Sequence, residues 1–525
     1  MSTKPEEPAR PTTYRTMDEV AETLSPAEQR FERGRRTIGL ILGPLAGLAV
    51  YFLSAGLDAP AQRLAGIVVF VIIYWISEAI PIPVTSLVAM CLVVLGNVAP
   101  ADEVFALFGN STLFVFIGGF IIAEAMRKHG LDRRFAFGVL RLPGIGNSTV
   151  RIIVAFGAIT ALLSGFISNT ATAAMMMPIA AGIVGFLTNM IASQSGDSVK
   201  PGRLRFATAL MLMVAYGASI GGLLTPVGSP PNLIGRAFIE DATGETIPFF
   251  TWMVLAFPLV VVMFAVLCVL LVMLNRPEVK HIEGVEKYVR EEHAKLGRMG
   301  AGGRNTLIAF GVAVLLWVTP GLIGLFTGGE GAVYDAVTDR MNEGAVAIVA
   351  AALLFVLPVD WSQRKFTITW NDAARIDWGT IVLFGSGIAL GSLLGSTGLA
   401  EAIGSGLSGL LGIQTLLGLT ILGTVIAVII SETTSNTASV GVVVPIIIPL
   451  AVAADVNAVI PALAAIFGAS FGFMLPVSTP PNAIVYGTGM VPITKMVRSG
   501  VALDIVGIVI IVAGVMGMGA LLKLG

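Results

Sequence analysis

The chain has 525 residues, of which 55% are hydrophobic and 12% charged, with a mean hydropathy of +0.87. Soluble domains carry about 25% charged residues, so this composition excludes an ordinary water-soluble protein and points to a polytopic membrane protein. Lys+Arg 32 against Asp+Glu 33 leaves a formal charge of −1, which removes any whole-chain attraction for nucleic acid.

Residues 1–36 are polar and turn basic at Arg30, Arg33, Arg35 and Arg36. They lack the early apolar core of a signal peptide and read as a cytoplasmic tail. About 20 apolar residues cross a bilayer as a helix, and by that measure spans run over 37–56, 63–81, 84–99 and 111–126. The next loop holds Arg127, Lys128, Arg133, Arg134, Arg141 and Arg151, as suits the cytoplasmic side. An apolar stretch at 152–188 is interrupted at Ser168-Asn169-Thr170 and followed by Lys200, Arg203 and Arg205. Both its ends are expected on the cytoplasmic side, and its first half is too short to cross, so it reads as a re-entrant helical hairpin.

Spans at 206–236 and 248–274 lead to a hydrophilic linker, 275–304, where bases mix with Glu286, Glu291 and Glu292 as on a surface helix. Spans follow near 305–326, 343–358 and 377–396. A second interrupted stretch, 408–454, breaks at Ser435-Asn436-Thr437; there, length alone leaves two full spans open beside a hairpin. Segments 459–490 and 501–523 complete the chain. The expected fold class is an all-α polytopic membrane protein with about 11 transmembrane helices plus two re-entrant hairpins. Its parts are the tail 1–36, a first repeat 37–274, the linker 275–304 and a second repeat 305–525.

The repeat is read from the motifs. Ser168-Asn169-Thr170-Ala171, ending at Pro178-Ile179, recurs as Ser435-Asn436-Thr437-Ala438, ending at Pro445-Ile446, at the offset 435 − 168 = 267. Thr225-Pro-Val-Gly-Ser-Pro-Pro-Asn232 recurs as Leu475-Pro-Val-Ser-Thr-Pro-Pro-Asn482, each preceded by Gly-Ala-Ser. Counting crossings puts the mouth of the first hairpin inside and that of the second outside, so the halves are expected to be inverted. Inverted repeats with paired interrupted helices are the pattern of secondary transporters, which bind substrate and ions at the breaks.

Each Pro-Pro pair lacks two amide donors and disfavours helix before it, so unwinding is expected at 227–231 and 477–481. A bare carbonyl in hydrocarbon is costly, and a cation is one partner for it. Oxygens of Gly228, Ser229, Ser478 and Thr479, joined by the hairpin tips, would suit a hard monovalent ion such as sodium. The returning arm of each hairpin starts at its Ser-Asn-Thr tip, so helix N-termini aim amide groups at the same spot and favour an anion. Two such tips suit a dicarboxylate.

No Lys, Arg, His or Asp lies in the four motifs. Glu432 is the nearest acid and has no acidic mate, since 432 − 267 = 165 is Gly165; it is either a coupling group, structural, or exposed in an outer vestibule. Alone, a Ser-Asn-Thr is interhelical glue and a Pro-Pro a kink; two matched pairs outweigh both readings. Cys91 and Cys268 lie in apolar runs and suggest no disulfide or metal cluster. His129, His281 and His293 read as solvated loop residues, Glu78 and Glu124 as capping groups, and Gly118, Gly119, Gly385, Gly387 and Gly391 as close-packing positions. Neither a His-Glu-x-x-His signature nor a phosphate loop is present, so no enzyme, catalytic residue or organic cofactor is expected.

At these residues the chain resembles the divalent anion/sodium symporter family with its bacterial dicarboxylate carriers, over about 37–523. Ser77-Glu-Ala-Ile-Pro-Ile-Pro-Val-Thr85 and the stretch from Trp378 to Leu399 share the pattern. The resemblance implies a plasma-membrane homodimer with its N-terminus cytoplasmic and its C-terminus outside. In each protomer a transport domain would move against a scaffold domain as an elevator. It implies one sodium site at Ser164, Ser168, Asn169 and Gly228, and another at Ser431, Thr434, Asn436 and Ser478. Substrate carboxylates would meet Asn169, Thr170, Ser229, Asn436, Thr437 and Thr479, with Pro230 and Pro480 lining the pocket. Ser229 stands where relatives often have Thr, and Ser431 and Thr434 replace commoner Thr and Ala. The implied function is sodium-coupled import of C4-dicarboxylates such as succinate, malate and fumarate. A proton-coupled or exchange-type carrier of citrate, sulfate or dicarboxylate is the alternative.

Overall fold

The computed structural model describes residues 26–141, 145, 148–195, 201–281, 285–328 and 331–524. Most of the expected tail, and Lys200, lie outside them. In hydrocarbon every backbone polar group has to pair within its own segment, and the apolar runs accordingly form helices. Nine helices among the described residues are long and apolar enough to cross a membrane, and Ala101–Gly109 with Ser111–Lys128 makes a tenth, bent by 43°. That count includes three hairpin arms and omits shorter apolar helices such as Ile82–Leu95 and Glu343–Val356. The eleven expected crossings are reached when the short helices are added and each helix interrupted at a Pro-Pro motif is taken as one. Strand structure among the described residues is a short antiparallel pair, Pro358–Asp360 with Lys365–Phe366.

The order of elements runs twice, and the packing exchanges partners between the runs. Ser111–Lys128 packs on Glu343–Val356, and its counterpart Trp378–Ser396 packs on Ile82–Leu95. Beyond the interruptions, Pro230–Thr243 packs on Asn436–Ala453 while Pro480–Tyr486 packs on Asn169–Ser195. Small residues permit close approaches: a Cβ on Gly118 would lie 2.5 Å from the Ala347 backbone, and one on Gly385 would lie 2.5 Å from the ring of Phe108 in the 3-10 turn Leu107–Gly109. Gly119, by contrast, has no neighbour within 4 Å. The helix Pro26–Leu53 precedes both runs and docks on Ala59–Ser77 through Gly39, Gly43 and Gly47, which face Ser77, Tyr74 and Gly66.

Two segments differ from expectation. The loop expected after residue 126 contains a helix, Leu131–Leu140, that buries Leu131, Ala136, Phe137 and Leu140. Its counterpart Leu399–Leu411 separates from the stretch expected over 408–454, so the second hairpin starts at Leu416. Both helices follow a glycine in the left-handed region, Gly130 at φ 61 and Gly398 at φ 74, which a residue without Cβ adopts freely. Gly130-Leu131 and Gly398-Leu399 are thus a third repeated pair, 268 residues apart by 398 − 130, absent from the expectations above.

The first hairpin begins and ends beside the same linker residues. Thr149 Oγ1 donates to Val279 O at 2.8 Å, and Arg205 N donates to Glu278 Oε1 at 2.5 Å. A chain that starts and finishes there enters the fold and returns. Arg134 donates to the carbonyls of Gly297 and Arg298, beyond the linker helix Val285–Lys295. The basic segments around 127–151, 201–205 and 275–304 therefore share one face.

Candidate functional site

Each half brings its hairpin tip against its own interrupted helix. Thr149–Ser164 ends at a buried serine, and the returning arm Asn169–Ser195 starts five residues on. Ser164 Oγ donates to Asn169 Oδ1 at 2.6 Å, and Asn169 Nδ2 reaches Ser229 Oγ at 3.5 Å. In the second half Ser431 Oγ lies 2.8 Å from Asn436 Oδ1, and Asn436 Nδ2 reaches Ser470 O at 3.4 Å. Ser168 and Ser435 cap the returning arms, their hydroxyls accepting from Ala171 N at 3.3 Å and Ala438 N at 3.2 Å. The arms' first amide groups and positive dipole ends remain directed at the tips.

The interruptions fall earlier than the Pro-Pro pairs suggested. Arg205–Gly221 stops before a 3-10 turn at Pro226–Gly228, and helix resumes with Pro230–Thr243; Val459–Ala469 stops and helix resumes with Pro480–Tyr486. The non-α-helical residues are therefore 222–229 and 470–479, not 227–231 and 477–481. Proline opens a helix well, because its missing N–H would be unpaired there anyway and its φ is preset. The prolines mark where each helix restarts.

What holds the gaps is the asparagine after each pair, a residue the sequence expectations left without a role. Asn232 Nδ2 donates to Gly222 O at 2.8 Å and Thr225 O at 2.9 Å. Asn482 Nδ2 donates to Gly472 O at 2.9 Å and Leu475 O at 3.0 Å, with the same spacings. Their shared place in the two Pro-Pro-Asn motifs was the available signal.

Oxygens converge at both gaps. A Cβ built on Gly228 would lie 2.6, 2.8 and 2.9 Å from the carbonyl oxygens of Gly222, Gly165 and Ser164. Three carbonyls thus surround a spot that glycine alone leaves open. At the second gap acceptors outnumber hydrogens. The single Ser431 hydroxyl hydrogen faces both Asn436 Oδ1 and Ala469 O, at 2.8 and 2.7 Å. That of Ser478 faces Glu432 O at 2.8 Å and Glu432 Oε2 at 2.9 Å. Such a surplus of oxygen acceptors on interrupted helices suits a small hard cation.

The remaining expected residues are spread around these gaps. Ser229, Thr437 and Thr479 are buried, Thr170 and Pro230 half-buried, and Pro480 exposed. Thr434 turns its hydroxyl hydrogen to Ile430 O at 2.9 Å, on its own helix. A small hollow, with room for little more than a water molecule, borders the first tip and is lined by Phe116, Gly119, Phe120, Phe166, Ser168 and Val227.

Among charged and polar neighbours, one of the three readings left open for Glu432 falls, and the expectation for His129 is overturned. Glu432 does not face a vestibule: it is 3% exposed and accepts from Phe473 N at 2.6 Å and Met474 N at 3.0 Å. His129 is not a solvated loop residue, because its Nε2 lies 2.8 Å from Thr367 O and its ring packs on Gly302. Asp504, which the sequence analysis did not single out, is 4% exposed, and neither of its carboxyl oxygens has a hydrogen-bond partner among the described residues. Glu78 sits 3.6 Å from both Arg35 and Arg36, and Glu124 pairs with Arg127 at 2.5 Å.

Paired interrupted helices facing hairpin tips inside an all-α membrane fold define a secondary transporter. A family model described as the sodium:sulfate symporter transmembrane region matches residues 38–524. The chain belongs to that family, the divalent anion/sodium symporters, whose members are transporters and not enzymes. It is 34% identical over 479 residues to the sodium-dependent dicarboxylate transporter SdcS of Staphylococcus saprophyticus, covering 90% of each chain. It is 33% identical to SdcS of Staphylococcus aureus strain bovine RF122, covering 90% of this chain and 89% of that one. Among solved structures, the YdaH transporter of Alcanivorax borkumensis matches with a TM-score of 0.51 and 11% identity, over 80% of this chain and 87% of that one. That likeness concerns the fold alone.

Proposed function

We propose that the protein is a sodium-coupled symporter that imports C4-dicarboxylates, with succinate, malate and fumarate as the substrate class. The observation that carries this reading is the ring of three carbonyl oxygens at Gly228, matched by the hydrogen-poor oxygen cluster at Ser431 and Ser478. Carbonyl, amide and hydroxyl oxygens bind sodium and release it again. Between the two gaps, the capped N-termini at Asn169 and Asn436 supply dipoles for two carboxylates. SdcS proteins, similar over nine-tenths of the chain, carry the name of sodium-dependent dicarboxylate transporters, which supports both the ion and the cargo.

The sodium ligands proposed are Ser164, Ser168, Asn169 and Gly228 in the first half, and Ser431, Thr434, Asn436 and Ser478 in the second. Asn169, Thr170, Ser229, Asn436, Thr437 and Thr479 would hold the substrate, beside Pro230 and Pro480. Proton coupling through Glu432 fits less well, because its carboxylate is occupied by two backbone amides and a hydroxyl. The shared basic face supports an orientation with that face in the cytoplasm, which puts the N-terminus inside and the C-terminus outside. The two runs of elements are then inverted repeats, working as an elevator in a homodimer.

The test is uptake of labelled succinate into proteoliposomes, with malate, fumarate, citrate and sulfate as competitors. Uptake should require external sodium and be suppressed by the C4 diacids. Equal uptake after choline replaces sodium would reject the coupling, and suppression by sulfate alone would reject the cargo.

A further inference from the structure

The helix that restarts after the first gap carries a buried arginine that the binding site does not use. Arg236 lies four residues past Asn232 on Pro230–Thr243 and is 5% exposed. Its Nη2 donates to Glu343 Oε2 at 2.7 Å, and its Nε lies 3.3 Å from Glu240 Oε1, one turn further along the same helix. Arginine keeps its proton in proteins, so wherever this helix goes its guanidinium needs acceptors. The second half has no such charge: at the offset 480 − 230 = 250, Arg236 falls on Tyr486, the last residue of the shorter helix Pro480–Tyr486.

The two partners of Arg236 differ in what they are fixed to. Glu240 is on the arginine's own helix, and its Oε1 also accepts from Ile247 N at 3.0 Å, just beyond the left-handed Gly244. Glu343 opens another helix, Glu343–Val356, which has a mount of its own on Ser111–Lys128. There its carbonyl accepts from Trp317 Nε1 at 3.0 Å, and a Cβ on Gly344 would meet the Ser111 carbonyl and the Phe114 side chain. Glu343 Oε1 accepts from Phe249 N at 2.7 Å, so one carboxylate holds both the interrupted helix and the start of the next. Pro230–Thr243, by contrast, packs on the returning arm Asn436–Ala453 of the second hairpin. Where it meets Trp378–Ser396, that helix turns Gly387 and Gly391 to Phe238 and offers no side chain there to interlock. The buried ion pair is thus a directional tie between the helix that bears the first gap and a helix outside both hairpins and both interruptions.

We infer that Arg236 and Glu343 form a latch that holds the first interrupted helix, and with it the carbonyl ring at Gly228, against the part of the protein that stays in place. The latch opens in each transport cycle, and Glu240 travels with the arginine as its countercharge. Both latch residues are positioning residues, acting on the site through the helix. This rests on the elevator reading proposed above. Removing one partner of a buried pair leaves the other without its countercharge, and that loss falls on the arrangement in which the two helices meet, not on one in which they have parted. Loss of either partner therefore shifts the population toward the parted arrangement.

The experiment measures the separation of the two helices in the full-length protein in proteoliposomes. Spin labels on cysteines replacing the exposed Ala242 and Asp339, with Cys91 and Cys268 changed to alanine, report it by pulsed electron resonance. The otherwise wild-type protein should give the latched distance and, with sodium and succinate, a second one. Glu343→Gln, which keeps the shape and removes the charge, should raise the ratio of second to first by about tenfold without any ligand. Arg236→Gln should act in the same direction, and the double variant should go no further than the larger single effect, because one interaction is being removed. Glu343→Asp, which keeps the charge and shortens the reach, should fall between wild type and Glu343→Gln, and serves alone if the glutamine variant does not fold. Two distances whose ratio neither variant moves, even with a lowered unfolding midpoint, overturn the latch and leave the elevator standing. A single distance in every variant and condition overturns both, and sodium-dependent succinate uptake by the same preparation would show that the proposed activity does not fall with them.

Discussion

Asn232 and Asn482 each direct both amide hydrogens to carbonyls inside the gaps, of which those of Gly222 and Gly472 have no backbone donor among the described residues, while those of Thr225 and Leu475 also accept from Gly228 N and Ser478 N at 3.3 Å. A carbonyl left bare in the interior costs roughly 1–3 kcal/mol, so Asn482→Ala should lower the unfolding midpoint of the purified transporter clearly below wild type. Asn482→Asp should do no better, since a carboxylate of the same shape turns acceptors toward acceptors. A wild-type midpoint for the aspartate variant would show that the donors are not what matters. The Pro-Pro-Asn motif was legible in sequence as a site of interruption because proline chemistry is local. The asparagine's partners were not: they lie seven and ten residues upstream, and only the folded-back gap brings them to its amide. Glu432 was visible as an odd acid in an apolar run, but its partners at 473, 474 and 478 come from another part of the chain.

At the scale of elements, the segment between Glu343–Val356 and Trp378–Ser396 is tied to the end of Ser111–Lys128 by one ion pair. Lys128 Nζ donates to Asp372 Oδ2 at 2.7 Å, and Thr369 forms a capping box with the same carboxylate. Burial opposes the charge on Asp372, but the Lys128 ammonium and the Thr369 hydroxyl and amide outweigh it and hold the carboxyl at about 2. An acid depressed in the folded state stabilises above its unfolded value, near 4, and that contribution is lost as pH falls from about 4 to about 2. Asp372→Asn should therefore flatten the fall of the unfolding midpoint over that window; an identical profile would show the pair to be idle. The apolar runs and hairpin tips were readable because spans and polar interruptions are local patterns. Leu131–Leu140 and Leu399–Leu411 were not, because they are short and partly polar, and only the left-handed Gly130 and Gly398 signal the turns that start them.

For the whole molecule, the elevator proposal divides the contacts into those that persist and those that break. The helix Pro26–Leu53, outside both runs, sends Arg35 to Ile76 O at 3.0 Å and to Thr433 O at 2.9 Å, beside the second hairpin tip. Glu32, at 2.8 Å from Arg35, and Glu78, at 3.6 Å, surround it. Glu78 holds its backbone at φ 48, a conformation that costs a non-glycine residue about 1 kcal/mol or more and turns the chain where this cluster forms. Helix Pro26–Leu53 is fixed to Ala59–Ser77 by its glycine face, so a hairpin that travels has to leave Arg35 behind. Spin labels on cysteines replacing Gly34 and Thr433, with Cys91 and Cys268 changed to alanine, would measure this separation by pulsed electron resonance. Sodium with succinate should add a second distance, longer or shorter by at least about 5 Å, one helical turn. Arg35→Ala should enrich that second population without any ligand, because it removes the bond to Thr433 O while leaving the glycine docking intact. One unchanging distance under every condition would mean that the hairpin and the N-terminal helix move together, and that transport proceeds by opening at the tips instead of by travel of the whole domain.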